Sequence, residues 1–320
     1  MISERRCRIC GGALGAALRA REVMFGTRER FDYFTCQDCG CLQIGAIPAD
    51  LARHYPSAYY SLAPGAPRPK SWRRRLREAY AYDRSGGPLA ALLYWWHPDP
   101  ERRLLGELGI GRDDAILDVG CGNGARVRDL AEAGFTRALG IDPHLAADIV
   151  VAGRTLARRA ELTQMDGPWR LIMFHHSLEH LPDQRATLER CRTLLGRDGR
   201  VLVRIPTVSG EAFERYGADW VQLDAPRHLY LHSRDSFRRL AGASGFEIVA
   251  MRDDSSEFQF TGSERIRRGL PLVGGPELHF GAGARAWWRW RARRLNRLGR
   301  GDQFAAVLAP RLDERRAANA

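Results

Sequence analysis

The most constraining stretch of this sequence covers residues 116–126 and reads ILDVGCGNGAR. A short apolar run carries an acid, Asp118, and leads into three alternate glycines and then a helical pattern. This order predicts a strand, a tight turn and a helix. Gly120, Gly122 and Gly124 leave one side of the turn without β-carbons, so a ligand can lie against bare backbone at the carboxyl edge of a parallel sheet.

A second acid follows at the end of the next predicted strand. Residues 138–142 read ALGID, which places Asp142 eighteen residues after Gly124. An acid at this position is where a ribose diol would be held. The sequence therefore predicts a groove flanked by two carboxylates.

The glycines alone also fit a dinucleotide site, because Gly120-x-Gly122-x-x-Ala125 satisfies the relaxed G-x-G-x-x-G/A pattern. Asp118 distinguishes the two interpretations. Its negative charge would oppose a pyrophosphate but would attract a cofactor that carries an amino group and a sulfonium. Charge favours the sulfonium cofactor.

At this point the chain resembles the class I S-adenosylmethionine (SAM)-dependent methyltransferases, whose first motif is D-x-G-x-G-x-G, as in Asp118 to Gly124. The resemblance implies that Asp118 and the three glycines contact the methionine part of SAM, and that Asp142 contacts the ribose hydroxyls. With the order of strands and helices, it implies an α/β fold: a doubly wound, Rossmann-like, seven-stranded sheet.

Four cysteines near the start fall in two C-x-x-C pairs, Cys7 with Cys10 and Cys36 with Cys39, each followed by glycine. Two thiolates on each of two tight turns supply four soft ligands, and Zn²⁺ would replace the core that so short a segment cannot build. Disulfides, a redox pair or thiols without a metal are the alternatives, and disulfides are disfavoured in a reducing cytosol. Cys41 is a substitute ligand or a free thiol.

Residues 33–43 and 54–61 resemble the leader of a methyltransferase subset that carries a zinc-binding domain and includes the deoxysugar C-methyltransferases. This resemblance implies a structural zinc and a module that helps to cover the substrate side. It also suggests that Tyr59 and Tyr60 lie near the active-site mouth; packing between domains is the alternative for this pair.

The chain is strongly basic, with a net charge of +12 and a pI near 9.9. An anionic partner such as a glycolipid, a membrane surface or nucleic acid would explain this charge. Lys70 is the only lysine, so a coding bias toward arginine is the competing explanation. No signal-peptide pattern is seen and residues 88–96 form the longest apolar run, so we expect a cytoplasmic protein, with membrane association left open.

Two helical regions accompany the predicted catalytic fold, one before it and one inserted within it. In the first, Trp72, Leu76 and Tyr80 repeat at helical spacing among arginines, as in a helical cap or a membrane-interface segment. The second region predicts a helix that either lies on anionic lipid, packs in the core or forms a dimer contact. The apolar face of this helix is predicted to comprise Ala284, Trp287, Trp288, Leu295 and Leu298.

The predicted domains are a zinc module (1–61), a linker and cap (62–100), a methyltransferase domain (101–312, with a helical insertion at 254–300) and a flexible tail (313–320).

Residues 170–174 read as a buried strand and are followed by HHSLEHLPD. His176-x-x-Glu179-His180 matches the pattern of an inverted zinc peptidase. That peptidase needs one continuous helix, whereas here a strand ends just before the motif and Pro182 follows it. The spacing therefore argues against peptidase chemistry.

The same segment is similar to the H-x-L-E-H-x-x-D text at the end of the fourth strand in this methyltransferase subset. The resemblance implies that His176, Glu179 and His180 line the pocket beside the methyl group. For Glu179 and His180, orienting the loop through hydrogen bonds is the alternative. We also predict that His175 contacts the cofactor.

The remaining elements continue the doubly wound pattern. We predict a helix over 186–195, a turn over 196–199 and the fifth strand over 200–205. The sixth and seventh strands are predicted over 246–251 and 301–309, the seventh antiparallel at the edge of the sheet.

Residues 220–233 read as a polar, aromatic loop before a helix that Ser233 would cap. In the deoxysugar C-methyltransferases the corresponding text has a histidine preceded by a glutamate and a tyrosine. Here His228 is kept, but the glutamate position holds Arg227 and the tyrosine position Ala225. This departure disfavours carbon methylation of a ketosugar and leaves His228 as the candidate base for a hydroxyl.

We therefore predict a SAM-dependent methyltransferase that acts on a small-molecule, sugar or lipid-linked glycan acceptor and methylates oxygen rather than carbon. Because the sulfonium carries a good leaving group, the protein must mainly align a nucleophile and remove its proton. His228 or His176 could accept that proton, with His180 beside them.

Three alternatives remain. The first is a ketosugar C-methyltransferase, which the resemblance to the deoxysugar C-methyltransferases supports. An RNA-directed methyltransferase or binding module would use the zinc ribbon and the arginine excess, but no N/D-P-P-Y-type text follows the fourth strand. A cofactor-free scaffold is opposed by the intact motif from Asp118 to Gly124.

Overall fold

The computed structural model describes residues 6–55 and 70–311. The tyrosine pair 59–60, nearly all of the linker and the tail therefore lie outside the described residues. By Cα packing the chain divides into two compact units. Unit 1 holds residues 1–56, 176–192 and 202–320, and unit 2 holds residues 57–175 and 193–201.

The described strands are β1 (Leu14–Arg21), β2 (Arg30–Cys36), β3 (Leu42–Ile44), β4 (Ile116–Val119), β5 (Ala138–Ile141), β6 (Ile149–Val151), β7 (Arg154–Arg158), β8 (Trp169–His175), β9 (Leu195–Pro206), β10 (Tyr230–Leu231), β11 (Phe246–Asp253) and β12 (Gln303–Pro310). The described α-helices are α1 (Trp72–Asp83), α2 (Gly87–Trp96), α3 (Pro100–Glu107), α4 (Ala125–Glu132), α5 (Gln184–Leu194), α6 (Glu211–Tyr216), α7 (Arg234–Ala243), α8 (Phe258–Arg267) and α9 (Ala282–Arg297).

Unit 2 is built on a largely parallel sheet in the order β8-β4-β5-β7-β6, and residues 195–201 of β9 also belong to this unit. β4 is buried at all four positions and pairs in parallel with both β5 and β8. A strand flanked on both sides in a parallel sheet needs such a continuous apolar run. The glycine-rich turn after β4 therefore lies at the carboxyl edge of the sheet, as predicted.

Between β5 and β7 the sequence showed only short apolar pieces, and the structure explains why. No helix forms between these strands in the described chain. Instead, β6 folds back on β7 as an antiparallel hairpin partner. The expected third strand is β7, and β6 is an addition to the predicted seven strands.

Unit 1 contains two groups of strands. The first is a sheet in the order β1-β2-β3-β10, in which β10 pairs antiparallel with β3. The second is the order β11-β12-β9, in which residues 202–206 of β9 belong to this unit. The α/β class with a central, parallel-rich sheet is confirmed. Strands β1 to β3 of the cysteine module share their sheet with β10. The predicted domain boundaries remain predictions.

The seventh predicted strand, β12, is antiparallel to β11, as expected. Its predicted position at the edge of the sheet was wrong, because β11 occupies the edge and β12 lies between β11 and β9. β12 is buried at seven of its eight positions, whereas β11 is buried only at Phe246 and is half-buried or exposed at the others. An interior strand needs apolar residues on both faces, and β12 supplies them.

The predicted turn over 196–199 was also wrong, since these residues belong to β9. Gly199 makes this possible. A β-carbon at Gly199 would lie 2.8 Å from the carbonyl oxygen of Trp169 and 2.9 Å from the β-carbon of Leu195. The glycine thus permits close strand contact in a segment whose composition resembles a turn.

Helix α9 packs on the core through a narrower face than the predicted apolar one. Ala292 and Leu295 are buried and Trp288 is partly buried, and these residues lie at i, i+4 and i+7 on one stripe. The predicted face was too wide, because it also included Ala284, Trp287 and Leu298, which are exposed.

The contact between the glycine turn and β5 predicts a sharp packing requirement at Gly140. A β-carbon there would lie 2.6 Å from Cys121 Sγ and 2.7 Å from Cys121 Cβ. We expect Gly140→Ala to lower the free energy of unfolding by about 1–3 kcal/mol through overpacking. Gly283→Ala is the control, because no atom lies within 4 Å of its β-carbon position. Urea unfolding should show G283A unchanged or slightly more stable; equal stability of G140A and the wild type would contradict the packing argument.

Candidate functional site

The glycine turn of unit 2 is held against β5 by its own backbone. The amides of Gly120 and Cys121 both donate to the carbonyl oxygen of Ile141, at 2.8 and 3.1 Å. Gly120, Gly122 and Gly124 have φ values of +73°, +53° and +69°, a region that side-chain-bearing residues rarely adopt. The turn therefore needs glycine at all three positions, and α4 begins directly after it.

The two acids beside this turn have different surroundings. Asp142 accepts hydrogen bonds from the amides of Gly122 and His144, both at 2.9 Å. Asp118 is only 2% exposed, and its Oδ1 has no hydrogen-bond partner among the described residues. Burial, together with the negative charge of Asp142, raises the pKa of Asp118 to about 8.

A buried carboxylate without a partner is costly unless a ligand completes it. A ligand amino group or sulfonium beside Asp118 would supply the missing positive charge, whereas a pyrophosphate would add a second negative one. The residues of the turn therefore fit SAM better than a dinucleotide. His175, the other predicted cofactor contact, is the last residue of β8 in the same unit.

The structure brings the four predicted zinc ligands of unit 1 together. The Sγ atoms of Cys7, Cys10, Cys36 and Cys39 all lie within 4.8 Å of one another. All four thiols are free. Cys7 Sγ lies 3.7 Å from Cys39 Sγ, and Cys10 Sγ lies 3.5 Å from Cys36 Sγ.

Each pair sits on a tight turn that ends in a left-handed glycine. The amide of Gly11 donates to the carbonyl of Cys7 and that of Gly40 to the carbonyl of Cys36, with φ values of +77° and +70° at the glycines. Cys41 is fully buried, and it does not belong to the four-thiol group.

A cluster of histidines around a buried glutamate forms the second feature of unit 1. Glu179 is fully buried, and its Oε1 lies 3.9 Å from His228 Nε2 and 3.4 Å from His176 Nδ1. Burial alone would raise the pKa of Glu179, but the contact with His176 and the charge of His228 lower it. The cluster thus holds an ionised carboxylate against imidazoles.

The hydrogen bonds of His228 define its tautomer. Its Nδ1 lies 2.7 Å from the carbonyl oxygen of Gln222, and a carbonyl only accepts, so Nδ1 carries the proton. In the neutral ring Nε2 then has a free lone pair. Nε2 lies 3.9 Å from carboxylate oxygens of both Glu179 and Asp224, which would stabilise the ring once protonated.

The other two candidate histidines differ from His228. His176 Nε2 lies 3.1 Å from Nη1 of Arg204, whose guanidinium only donates, so this nitrogen's lone pair is occupied. His180 Nδ1 contacts the carbonyl oxygen of Arg227 at 2.9 Å and the hydroxyl of Tyr55 at 3.0 Å. Burial, followed by the charge of His228, lowers the pKa of His180 to about 4.

The backbone conformation of this segment bears on the peptidase pattern. Residues Leu178–His180 form a single turn of 3₁₀ helix, and His176 has a φ of +53°. The two histidines therefore do not share a face of a continuous α-helix. The expectation that this motif does not lie within one continuous helix is confirmed.

Arg227 is fully buried and holds the loop before His228 in place. Its Nη2 lies 2.6 Å from Asp224 Oδ1 and 2.9 Å from Glu22 Oε1. Its Nη1 donates to the carbonyl oxygen of His54 at 3.2 Å. Burial acts to lower the pKa of Arg227, but the charge of Asp224 outweighs it and raises that pKa. The position that holds glutamate in the resembling enzymes is thus a structural cation here.

Sequence reasoning missed the residues that support the cluster. Asp224, Glu22 and Arg204 all contact cluster members or Arg227. Asp224 stands three residues before Arg227 and four before His228, which is a local signal that could have identified it. Glu22 and Arg204 are distant in sequence, so no local pattern predicts them.

Known proteins match the middle of this chain. A family model described as a methyltransferase domain matches residues 68–251, more than half of the chain. A ubiquinone biosynthesis O-methyltransferase of Paraburkholderia xenovorans is 28% identical over 163 residues, which are 44% of this chain and 70% of the relative. The enzyme of that name from Methylococcus capsulatus is 27% identical over 189 residues, covering 47% of this chain and 78% of its own.

A solved structure of a SAM dependent methyltransferase from Archaeoglobus fulgidus is more distant. It is 15% identical and superposes with a TM-score of 0.41 over 68% of this chain and 97% of its own. No function follows from a likeness at that level. Among the described helices, none is both long and apolar enough to cross a bilayer.

The raised pKa of Asp118 predicts that cofactor binding depends on pH. Below its pKa of about 8 the carboxyl is protonated, and a cationic ligand favours the ionised form, so binding must release a proton. Between about pH 6 and pH 7.5 the ligand's own amino group stays charged. Over that range we expect SAM affinity to rise with pH, approaching about ten-fold per unit.

Calorimetry in buffers of different ionisation enthalpy would measure the released proton. Asp118→Asn is the matched variant, and it should bind SAM at least about ten-fold more weakly at pH 7.5, with no proton release. Unchanged proton release in D118N would show that another group titrates.

Proposed function

Because this chain belongs to the methyltransferase-domain family and is a class I SAM-dependent methyltransferase, we propose that it methylates a hydroxyl oxygen of a small-molecule, sugar or lipid-linked glycan acceptor. The free Nε2 lone pair of His228, beside two carboxylates, is the observation that carries this proposal. An imidazole in this state can take the proton of a hydroxyl as oxygen becomes the nucleophile.

In this proposal the glycine turn and its acids hold the cofactor. Asp118 binds the amino group of SAM, and Asp142 binds the ribose hydroxyls while its oxygens keep their backbone hydrogen bonds. His175 is a further cofactor contact. Bound SAM supplies the methyl group on a positively charged sulfur, which is already a good leaving group, so the protein contributes mainly binding, alignment and proton removal.

His228 is proposed as the base, and His176 and His180 as groups that line the acceptor site. The lone pair of His176 Nε2 is engaged by Arg204, and the low pKa of His180 makes it a weak proton acceptor at neutral pH. Glu179 and Asp224 stabilise the imidazolium that His228 becomes. This division of roles needs no residue outside the cluster to move the proton.

Two observations support oxygen over carbon as the methylated atom. The glutamate and tyrosine that accompany the histidine in the resembling C-methyltransferases are replaced by Arg227 and Ala225, and Arg227 is occupied by ion pairs. The similar curated proteins are O-methyltransferases by name. Methylation of a ketosugar carbon is the alternative function, and the product of the labelling experiment below distinguishes the two.

We also propose that the four-thiol group binds a structural Zn²⁺. Four soft donors within 4.8 Å of one another, on two turns closed by glycine, match a tetrahedral zinc site. The ion would hold together the turns that flank strands β1, β2 and β3, and the sheet of these strands continues into β10.

Zinc content and stability should depend on the four thiols and not on Cys41. We expect about one equivalent of zinc in the wild type and in Cys41→Ser, and little in Cys36→Ser. Cys36→Ser should also melt at least roughly 5 °C lower, because ligand loss removes folding free energy. Metal analysis and calorimetry check both effects, and full zinc occupancy in C36S would refute this ligand set.

Turnover should require His228 while cofactor binding should not. The acceptor is first identified by incubating the enzyme and cell extract with methyl-labelled SAM and locating the label by mass spectrometry. With that acceptor, His228→Ala should lower kcat by roughly 10²–10⁴-fold, the usual contribution of a general base. Its SAM affinity should stay within about two-fold of wild type, since the cofactor contacts are untouched.

His279→Ala is the control, because His279 is exposed and lies outside the cluster. Full turnover in H228A would remove His228 from the mechanism. A label found on carbon would instead overturn oxygen methylation and leave the cofactor assignment standing.

A further inference from the structure

We propose that the outward face of helix α9 binds the surface of a membrane that contains anionic phospholipid. This face comprises Trp287, Trp290, Arg293, Arg294 and Arg297. The inference concerns unit 1 alone, and it does not rest on the proposed function.

The opposite face of α9 fixes the orientation of the helix. Trp288 stacks on Phe260 with ring centroids 6.4 Å apart and meets the edge of Phe280 at 4.8 Å. Ala292 and Leu295 are buried on the same side. With one face anchored by a tryptophan and two aliphatic residues, the other face must turn away from this core.

Two large aromatic side chains on the outward face are left substantially exposed. Trp287 is 46% exposed and Trp290 is 53% exposed. Indole rings are enriched at membrane interfaces, because an apolar ring with one N–H group suits the headgroup region. Their exposure indicates that this face binds a partner that contacts both the apolar ring and the N–H group of an indole.

All charged side chains of helix α9 are positive. Residues 282–297 include no aspartate or glutamate. Arg291 pairs with Glu211, and Arg289 lies 4.0 Å from Glu257. Within residues 6–55 and 70–311, no ion pair engages Arg293, Arg294 or Arg297. These three guanidinium groups are therefore available to an anionic partner.

The arrangement favours a flat anionic surface. Arg294 lies over the ring of Trp290, 5.6 Å from its centroid, so charge and ring are presented together. Along one side of a helix roughly 24 Å long, the two tryptophans come first and the three arginines follow them toward the carboxyl end. Such a helix lies in the interface, with its rings among the headgroups and its guanidinium groups on lipid phosphates.

Vesicle sedimentation tests the proposal with the full-length protein. Vesicles of phosphatidylcholine with phosphatidylglycerol should bind the wild type, and vesicles of phosphatidylcholine alone should bind it much more weakly. The triple variant Arg293→Gln, Arg294→Gln, Arg297→Gln should lose at least about ten-fold in partition coefficient, since each basic residue near an anionic surface contributes to binding. Binding of wild type to both vesicle types with equal strength would overturn the proposal.

A matched triple variant separates this face from the overall positive charge. Arg19→Gln, Arg185→Gln, Arg239→Gln removes the same charge from exposed positions elsewhere in unit 1. It should keep at least about half of the wild-type binding. An equal loss in both triple variants would assign the effect to net charge and overturn the proposal.

The tryptophans provide a second, independent readout. Trp287→Ala, Trp290→Ala should weaken vesicle binding by about ten-fold or more, and keep the wild-type melting temperature because Trp288 still anchors the helix. If vesicle binding were instead unaffected in both α9 variants, or if the same residues bound RNA but not vesicles, the membrane assignment would fail.

Discussion

Unit 1 depends on one buried cation. The guanidinium of Arg227 lies between Asp224, from its own loop, and Glu22, which follows β1. Losing one partner from a buried charge pair typically costs about 3–5 kcal/mol, because the remaining charge is left without compensation. His228 is the next residue, and its own amide donates to the carbonyl of Asp224. The position of the candidate base thus depends on a contact with the cysteine module.

The two units treat buried carboxylates in opposite ways. Asp224 is fully enclosed, yet the charge of Arg227 outweighs burial and lowers its pKa. Asp118 is equally enclosed but has no cation beside it in the described structure, and burial raises its pKa. Burial is similar in the two cases, so the partner decides the sign. Asp224, which is paired with a cation of the protein, stabilises the fold. Asp118, which has no such cation, can instead pair with a positively charged ligand.

Local sequence patterns predicted the parts of this protein that local physics determines. The apolar run of β4 and the glycines after it specify a strand and a left-handed turn through neighbouring residues alone. The errors concerned long-range choices. Nothing near residues 196–199 shows that Gly199 lies against Trp169, and nothing near β12 shows that β11 takes the edge. The contacts of Glu22 with Arg227 and of Arg204 with His176 likewise join segments that are distant in the sequence, so no local pattern reveals them.

The pairing of β3 with β10 has a consequence for how the chain is made. Residues 42–44 leave the ribosome long before residues 230–231, which are their hydrogen-bonding partners. Until then one side of β3 is an open strand edge, of the kind that can pair with other chains. The cysteine turns next to it can close within the first forty or so residues. Synthesis therefore passes through a stage in which the amino-terminal sheet is partly built and still exposes its backbone.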